Sequence, residues 1–226
     1  MGKNDNGNNG RTELVFVVDR SGSMGGLESD TIGGFNSMLS KQRTIAGECR
    51  VTTLLFDHRI ETLHNHLDIR EVNDLTSRDY WVRGSTALLD AIGLAIDRMI
   101  VTQRHTAAAY RAQHVLFVII TDGYENASRR YSLHQIKQMI TYERERYHWE
   151  FVFLGANIDA EQTAGDFGIS PRCATDFHTD GQGIKASFEA VACAATAVRG
   201  GADLEDLNAP DFLGGVRDDY RSRRRM

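Results

Sequence analysis

Three short segments of this chain carry oxygen ligands suited to a hard metal ion. In Asp19-Arg20-Ser21-Gly22-Ser23 one carboxylate and two hydroxyls fall at alternate positions. Gly84-Ser85-Thr86 offers a further hydroxyl, Thr86, and Thr121-Asp122-Gly123 a second carboxylate, Asp122. Oxygen-only donors suit Mg²⁺ or Mn²⁺ better than Zn²⁺, which takes nitrogen and sulfur readily. Together Asp19, Ser21, Ser23, Thr86 and Asp122 supply five side-chain oxygens. Mg²⁺ takes about six at roughly 2.1 Å, so water or an outside ligand must complete the shell. An Asp-x-Ser-x-Ser alone is also an ordinary turn, and Thr86 is equally suited to capping a helix. The metal reading therefore depends on whether the fold brings the three segments together.

The apolar run Leu14–Val18 ends abruptly at Asp19 and reads as a buried parallel strand over about 13–18. Val115–Ile120 is a second uninterrupted run, ending at Thr121-Asp122, and reads as a central strand. Further strands are expected over 51–56, 59–67, 151–154 and 173–177. Helices are expected from about Ser29, with Ile32, Phe35, Met38 and Leu39 on one face, and over 87–100, 133–147, 160–167 and 184–198. In the helix over 133–147, Ile136, Met139, Ile140 and Tyr147 are expected to face inward. The segment 59–67 follows its predecessor after only a turn at Asp57-His58, so it pairs antiparallel at an edge. The order βαββαβαβαβα predicts a Rossmann-like α/β fold: a doubly wound, mostly parallel six-stranded sheet with one antiparallel edge strand and helices on both faces. Ligands of such sheets bind beyond the carboxyl ends of the strands, where the winding reverses. With the first strand opening one half and Val115–Ile120 the other, Asp19 and Asp122 lie side by side at that switch. Thr86, at the entry to the buried helix that starts at Ala87, can reach the same crevice.

These three segments, in this order and at these junctions, resemble the metal-ion-dependent adhesion site (MIDAS) of the von Willebrand factor A domain. The resemblance covers about Leu14 to Val198 and is greatest to small, stand-alone bacterial and phage members. It implies that Ser21 and Ser23 bind the metal directly, and that Thr86 does so in a ligand-engaged state and through water otherwise. It implies that Asp19 and Asp122 bind directly or through water, and that a partner protein's Asp or Glu takes the open position. Two carboxylates among three neutral ligands leave a divalent ion electrophilic, which gives that last role a physical reason.

Other features carry less. Gly22, Gly25 and Gly26 lack the spacing of a phosphate loop. His64 and His66 alternate on one strand, but no third ligand accompanies them, so an exposed edge is the simpler reading. Glu125 and Asn126 read as solvated loop residues, and Asp159 as a helix cap near Asn157. The three cysteines, Cys49, Cys173 and Cys193, form no CxxC pair and read as reduced, buried thiols. With no signal-like or membrane-length apolar run, the expectation is a cytoplasmic protein. Expected boundaries are a disordered leader over 1–11, one A-like domain over 12–200, and a polar, arginine-rich, disordered tail over 201–226.

The functional expectation is a metal-dependent protein-binding module rather than an enzyme, with no catalytic residue assigned. A Mg²⁺-dependent phosphoester hydrolase is the rival, disfavoured because Asp19 lacks a second carboxylate two positions on. RNA binding is disfavoured by a net charge of −5 and the lack of aromatic stacking motifs.

Overall fold

A computed structural model describes residues 10–223. The leader expected over 1–11 lies, apart from Gly10 and Arg11, outside the described residues, as do the last three residues of the arginine-rich end. The element order is β1 (Thr12–Asp19), α1 (Glu28–Arg43), β2 (Cys49–Phe56), β3 (Ile60–Asp68), α2 (Leu88–His105), β4 (His114–Thr121), α3 (Leu133–Tyr147), β5 (Glu150–Gly155), α4 (Ala160–Phe167), β6 (Ala174–Asp176), α5 (Gly181–Arg199) and α6 (Gly214–Arg223). The strands form one sheet in the order β3-β2-β1-β4-β5-β6. Every pairing is parallel except β2 with β3. This is the expected doubly wound sheet, with β1 and β4 as neighbours at the reversal.

The apolar runs explain the centre of the sheet. Leu14 to Val18 and Val115 to Ile120 are buried from both faces, as parallel strands covered by helices must be. In α1, Phe35, Met38 and Leu39 face the core, and Gly34 lets α5 approach closely: a methyl group there would sit 2.4 Å from the Phe188 ring. Arg199 anchors the end of α5 by donating to the carbonyls of Gln42 (2.5 Å) and Ile45 (2.9 Å). On α3, Ile136 and Ile140 are buried as expected, whereas Tyr147 is 51% exposed at the last position of the helix, beside the left-handed cap at His148.

Three further expectations are corrected. The alternation of His64 and His66 fails because β2 and β3 shift register between Val51 and Leu54. His66 takes a left-handed φ of 55° and turns to Glu13, 2.8 Å away, while His64 is buried against Thr53 Oγ1 at 3.0 Å. Of the three thiols, Cys49 and Cys173 are buried but Cys193 is exposed on α5. The chain beyond 200 is not a disordered tail within the described residues. Leu204, Leu213 and Val216 are buried. Arg217 ion-pairs with Asp211 at 2.8 Å and donates to the carbonyls of Pro171, Arg172 and Ala174 at 3.0–3.1 Å. Arg223 joins Asp180 and Asp219. Among the described residues, Arg217 and Arg223 are groups that fasten this segment.

Candidate metal site

The carboxyl end of β1 and that of β4 meet at Asp19 and Asp122. Register pairs Val18 with Ile120, so Thr121 is level with Asp19. The Thr121 hydroxyl donates to Asp19 Oδ2 at 2.6 Å, and the Ser21 backbone N–H donates to Oδ1 at 2.6 Å. The Tyr80 hydroxyl donates to the Asp19 carbonyl at 2.6 Å. Asp19 is thus fixed on both oxygens before any outside ligand is considered. Beyond it the chain forms a 3₁₀ turn, Gly22–Met24, which brings the two serine hydroxyls within 3.0 Å of each other. Ser23 Oγ donates to Asp122 Oδ1 at 2.5 Å, while Asp122 Oδ2 is buried without a hydrogen-bond partner.

Thr86 reaches the same place. The helix α2 begins one residue later than expected and uses no side-chain cap, so the Thr86 hydroxyl is not spent on capping. A methyl group built on Gly123 would lie 3.6 Å from Ser23 Oγ and 3.8 Å from Thr86 Oγ1, which places the two hydroxyls around one spot. All five residues expected from the sequence therefore lie at one end of the sheet. Four are buried, and Ser23 is open to solvent.

The loops are held by residues whose part was not legible in the sequence. Arg20 is fully buried, with Nε 3.2 Å from Asp57 and Nη2 2.7 Å from Glu61. Asp57, also fully buried, takes Arg83 Nε at 2.7 Å, and its backbone carbonyl accepts from Ala87 N–H at 3.0 Å. The Gly22 N–H donates to the Gly84 carbonyl at 3.1 Å and the Arg83 N–H to the Arg20 carbonyl at 2.9 Å. Glu125 and Asn126 are braces rather than solvated loop residues. The Asn126 amide oxygen accepts from Thr86 N–H, and the Glu125 carboxylate accepts from Leu89, Ala127 and Ser128 N–H, all at 2.7–2.9 Å. Asp159 caps α4 through Gln162 N–H at 2.9 Å, and the Asn157 side chain reaches the Asp122 carbonyl at 3.4 Å. One signal for Thr121 was available: a hydroxyl that ends an otherwise apolar strand next to a candidate ligand.

Gly84 is required by this arrangement. Its φ is +66°, and a Cβ there would meet the His58 ring at 2.1 Å. The left-handed region costs an L-residue about 1–2 kcal/mol. We expect Gly84→Ala to lower stability by roughly that amount and to weaken metal binding through Thr86, readable in parallel denaturation and metal titrations. A substitution with neither effect would contradict the role given to this turn.

The carboxylates are electrostatically costly as they stand. Burial raises Asp19 to about 6 from the ordinary 3.8, against the hydrogen bonds from Thr121 and Ser21 that lower it. Burial also raises Asp122, against its bond from Ser23. A carboxyl raised by folding adds stability while protonated, below its unfolded value near 3.8, and that contribution is lost as pH climbs through about 6. A cation at the site relieves the charge. Any rise in melting temperature on adding Mg²⁺ is therefore expected to be small at pH 5 and to grow between pH 6 and 7.5. A shift independent of pH would contradict this.

The donor set fits a hard divalent ion. Three hydroxyls and two carboxylates converge, one buried carboxylate oxygen has no partner, and the mouth is open at Ser23. Among the described residues no group of three or more His, Cys, Asp or Glu is placed to hold a metal, so the oxygens of Ser and Thr are integral to any such site.

The architecture matches solved structures. Proximal thread matrix protein 1 from the mussel byssus, in a structure with a zinc-occupied MIDAS motif, superimposes with a TM-score of 0.57 at 16% identity, over 82% of this chain and 46% of that one. Manganese-loaded TRAP from Plasmodium vivax gives 0.51 at 15% identity, over 79% and 72%. A D319A mutant of the PilB minor pilin from Streptococcus sanguinis gives 0.53 at 13%, over 89% and 64%.

The chain has the von Willebrand factor A fold.

This chain spans less than half the length of the byssus protein, and at these identities the likeness is one of fold. No protein-family model and no curated protein sequence matches the chain.

Proposed function

We propose that this chain is a metal-dependent protein-binding module, holding Mg²⁺ or Mn²⁺ through Asp19, Ser21, Ser23, Thr86 and Asp122 and accepting a partner's Asp or Glu carboxylate. The observation that carries the reading is the pairing of a buried, unpartnered Asp122 oxygen with converging hydroxyls at an open mouth. A bound divalent ion supplies a Lewis-acidic centre that favours an anionic oxygen ligand. Asp19 and Asp122 orient that centre, and the neutral hydroxyls hold it without cancelling its charge. The zinc- and manganese-loaded structures of the same fold support a divalent ion, and the oxygen-only donors favour Mg²⁺ or Mn²⁺ over zinc.

Binding is favoured over hydrolysis because the site offers only two carboxylates, too few for a typical two-metal phosphoester centre. A reducing, cytoplasmic setting belongs to the same proposal and is supported by the three free thiols, one of them exposed. No helix of the described residues is long and apolar enough to cross a membrane.

The test is affinity capture from extract of the source organism. A specific protein retained in Mg²⁺, released by EDTA and not retained by Asp122→Ala is the expected result. Turnover of a generic phosphoester, lost in Asp19→Ala, would favour the hydrolase instead.

A further inference from the structure

At the end of the sheet opposite Asp19 and Asp122, a cavity of about 160 Å³ opens between the last turns of α2 and α3 and the starts of β4 and β5. One water needs only roughly 10–15 Å³ of such space, so the cavity admits a small molecule. Its wall holds a carboxylate where the fold calls for a hydrocarbon. Ile136, Ile140 and Glu143 lie at helical spacing on the inward stripe of α3, and all three are buried. Glu143 is only 4% exposed. Among the described residues no hydrogen bond reaches its carboxylate and no ion pair holds it; burial pushes its pKa up, and the Arg104 charge lowers it. A buried carboxylate is costly unless a donor or a cation reaches it.

The rest of the lining says what kind of group that is. Arg104 and Arg111 are exposed at the mouth, and Arg111 is held by the bond from its Nε to the Thr106 carbonyl at 3.0 Å. Ile100, Tyr147 and Trp149 add apolar surface, with Trp149 stacked on Phe117 at 5.5 Å between centroids. Both α2 and α3 end here, and their carbonyl ends favour positive charge. We infer that this cavity binds a free α-amino acid with an apolar side chain, its ammonium on Glu143 and its carboxylate on Arg104 and Arg111. The side chain lies against Ile100, Tyr147 and Trp149. A simple cation would meet two arginines, and a simple anion would meet the buried carboxylate; a zwitterion answers both signs. Glu143 and Arg104 feel each other's charge without pairing, which leaves space between them for a ligand that bridges the two. The site is separate from the metal and does not depend on it.

Isothermal titration of the full chain with L-phenylalanine and with L-leucine, in Mg²⁺ and in EDTA, tests the inference. One equivalent of either is expected to bind, equally in both buffers. Phenethylamine, which lacks the carboxylate, and 3-phenylpropionate, which lacks the ammonium, are each expected to bind at least about tenfold more weakly, the measure of one lost charge-assisted hydrogen bond. Glu143→Gln should weaken phenylalanine by at least as much and leave the ligand-free melting temperature unchanged or higher, since it removes a buried charge. Arg104→Ala changes an exposed side chain and should bring phenylalanine close to the level of phenethylamine. No binding at millimolar amino acid, equal binding of either analogue, wild-type affinity in either variant, or binding abolished by EDTA would each overturn the assignment, and none of these results bears on the five-residue metal site.

Discussion

Asp57→Ala is expected to destabilise the protein by about 3–5 kcal/mol, the range for breaking one side of a buried ion pair. For a domain of this size that lowers the melting temperature by roughly 10 °C. The reason is Arg20. Among the described residues its guanidinium is fully buried, its Nη1 has no hydrogen-bond partner, and Asp57 is the fully buried carboxylate paired with it. Glu61, the other partner, is more than half exposed and cannot replace it. Removing Asp57 also frees Arg83 and the turn that precedes Thr86. The double change Arg20→Met with Asp57→Leu should cost far less than the two single changes summed, because no fully buried charge is left stranded; the Arg83 and Glu61 it releases are partly exposed. Thermal or urea denaturation of the four proteins measures this. A loss below about 1 kcal/mol for Asp57→Ala would contradict the account of how the loop is held.

The second large effect is on metal-linked stability. At a Mg²⁺ concentration about a hundredfold above its dissociation constant, binding to the folded state adds about 2.7 kcal/mol, or roughly 5–10 °C in melting temperature. Ser21→Ala with Ser23→Ala is expected to abolish that rise and leave the metal-free protein folded, since neither hydroxyl bonds beyond the site: Ser21 Oγ meets Ser23 Oγ, and Ser23 Oγ meets Asp122. The double variant also loses the Ser23 side-chain hydrogen bond to the Asp122 carboxylate, so its metal-free melting temperature is expected to fall slightly. An undiminished Mg²⁺ shift in that variant would remove the two serines from the site.

How much was legible in the sequence follows from what periodicity can report. The apolar runs that became β1, β4 and β5 are read by composition alone, because strands buried on both faces need no alternation. Their order fixed the switch, and the switch placed Asp19 beside Asp122. Thr86 followed because it stands at a helix entry. The supports were not legible because they join distant positions. Arg20 occupies an unremarked position of Asp-x-Ser-x-Ser, and its partner Asp57 looked like part of a hairpin turn. Tyr80 sits in a polar stretch that gave no sign of burial, yet it is almost fully buried and fixes the Asp19 carbonyl. The register shift in β3 and the arginine-fastened α6 depend on pairings across the fold rather than on local pattern.

The central claim, that these five residues hold one divalent ion, is tested most directly by electron paramagnetic resonance of free Mn²⁺ titrated with the purified chain. One equivalent of Mn²⁺ is expected to bind, to be displaced by Mg²⁺, and to be lost in Ser21→Ala with Ser23→Ala while circular dichroism shows the fold retained. Mn²⁺ that stays free in the presence of the wild-type chain, or that binds the double variant equally well, would contradict it.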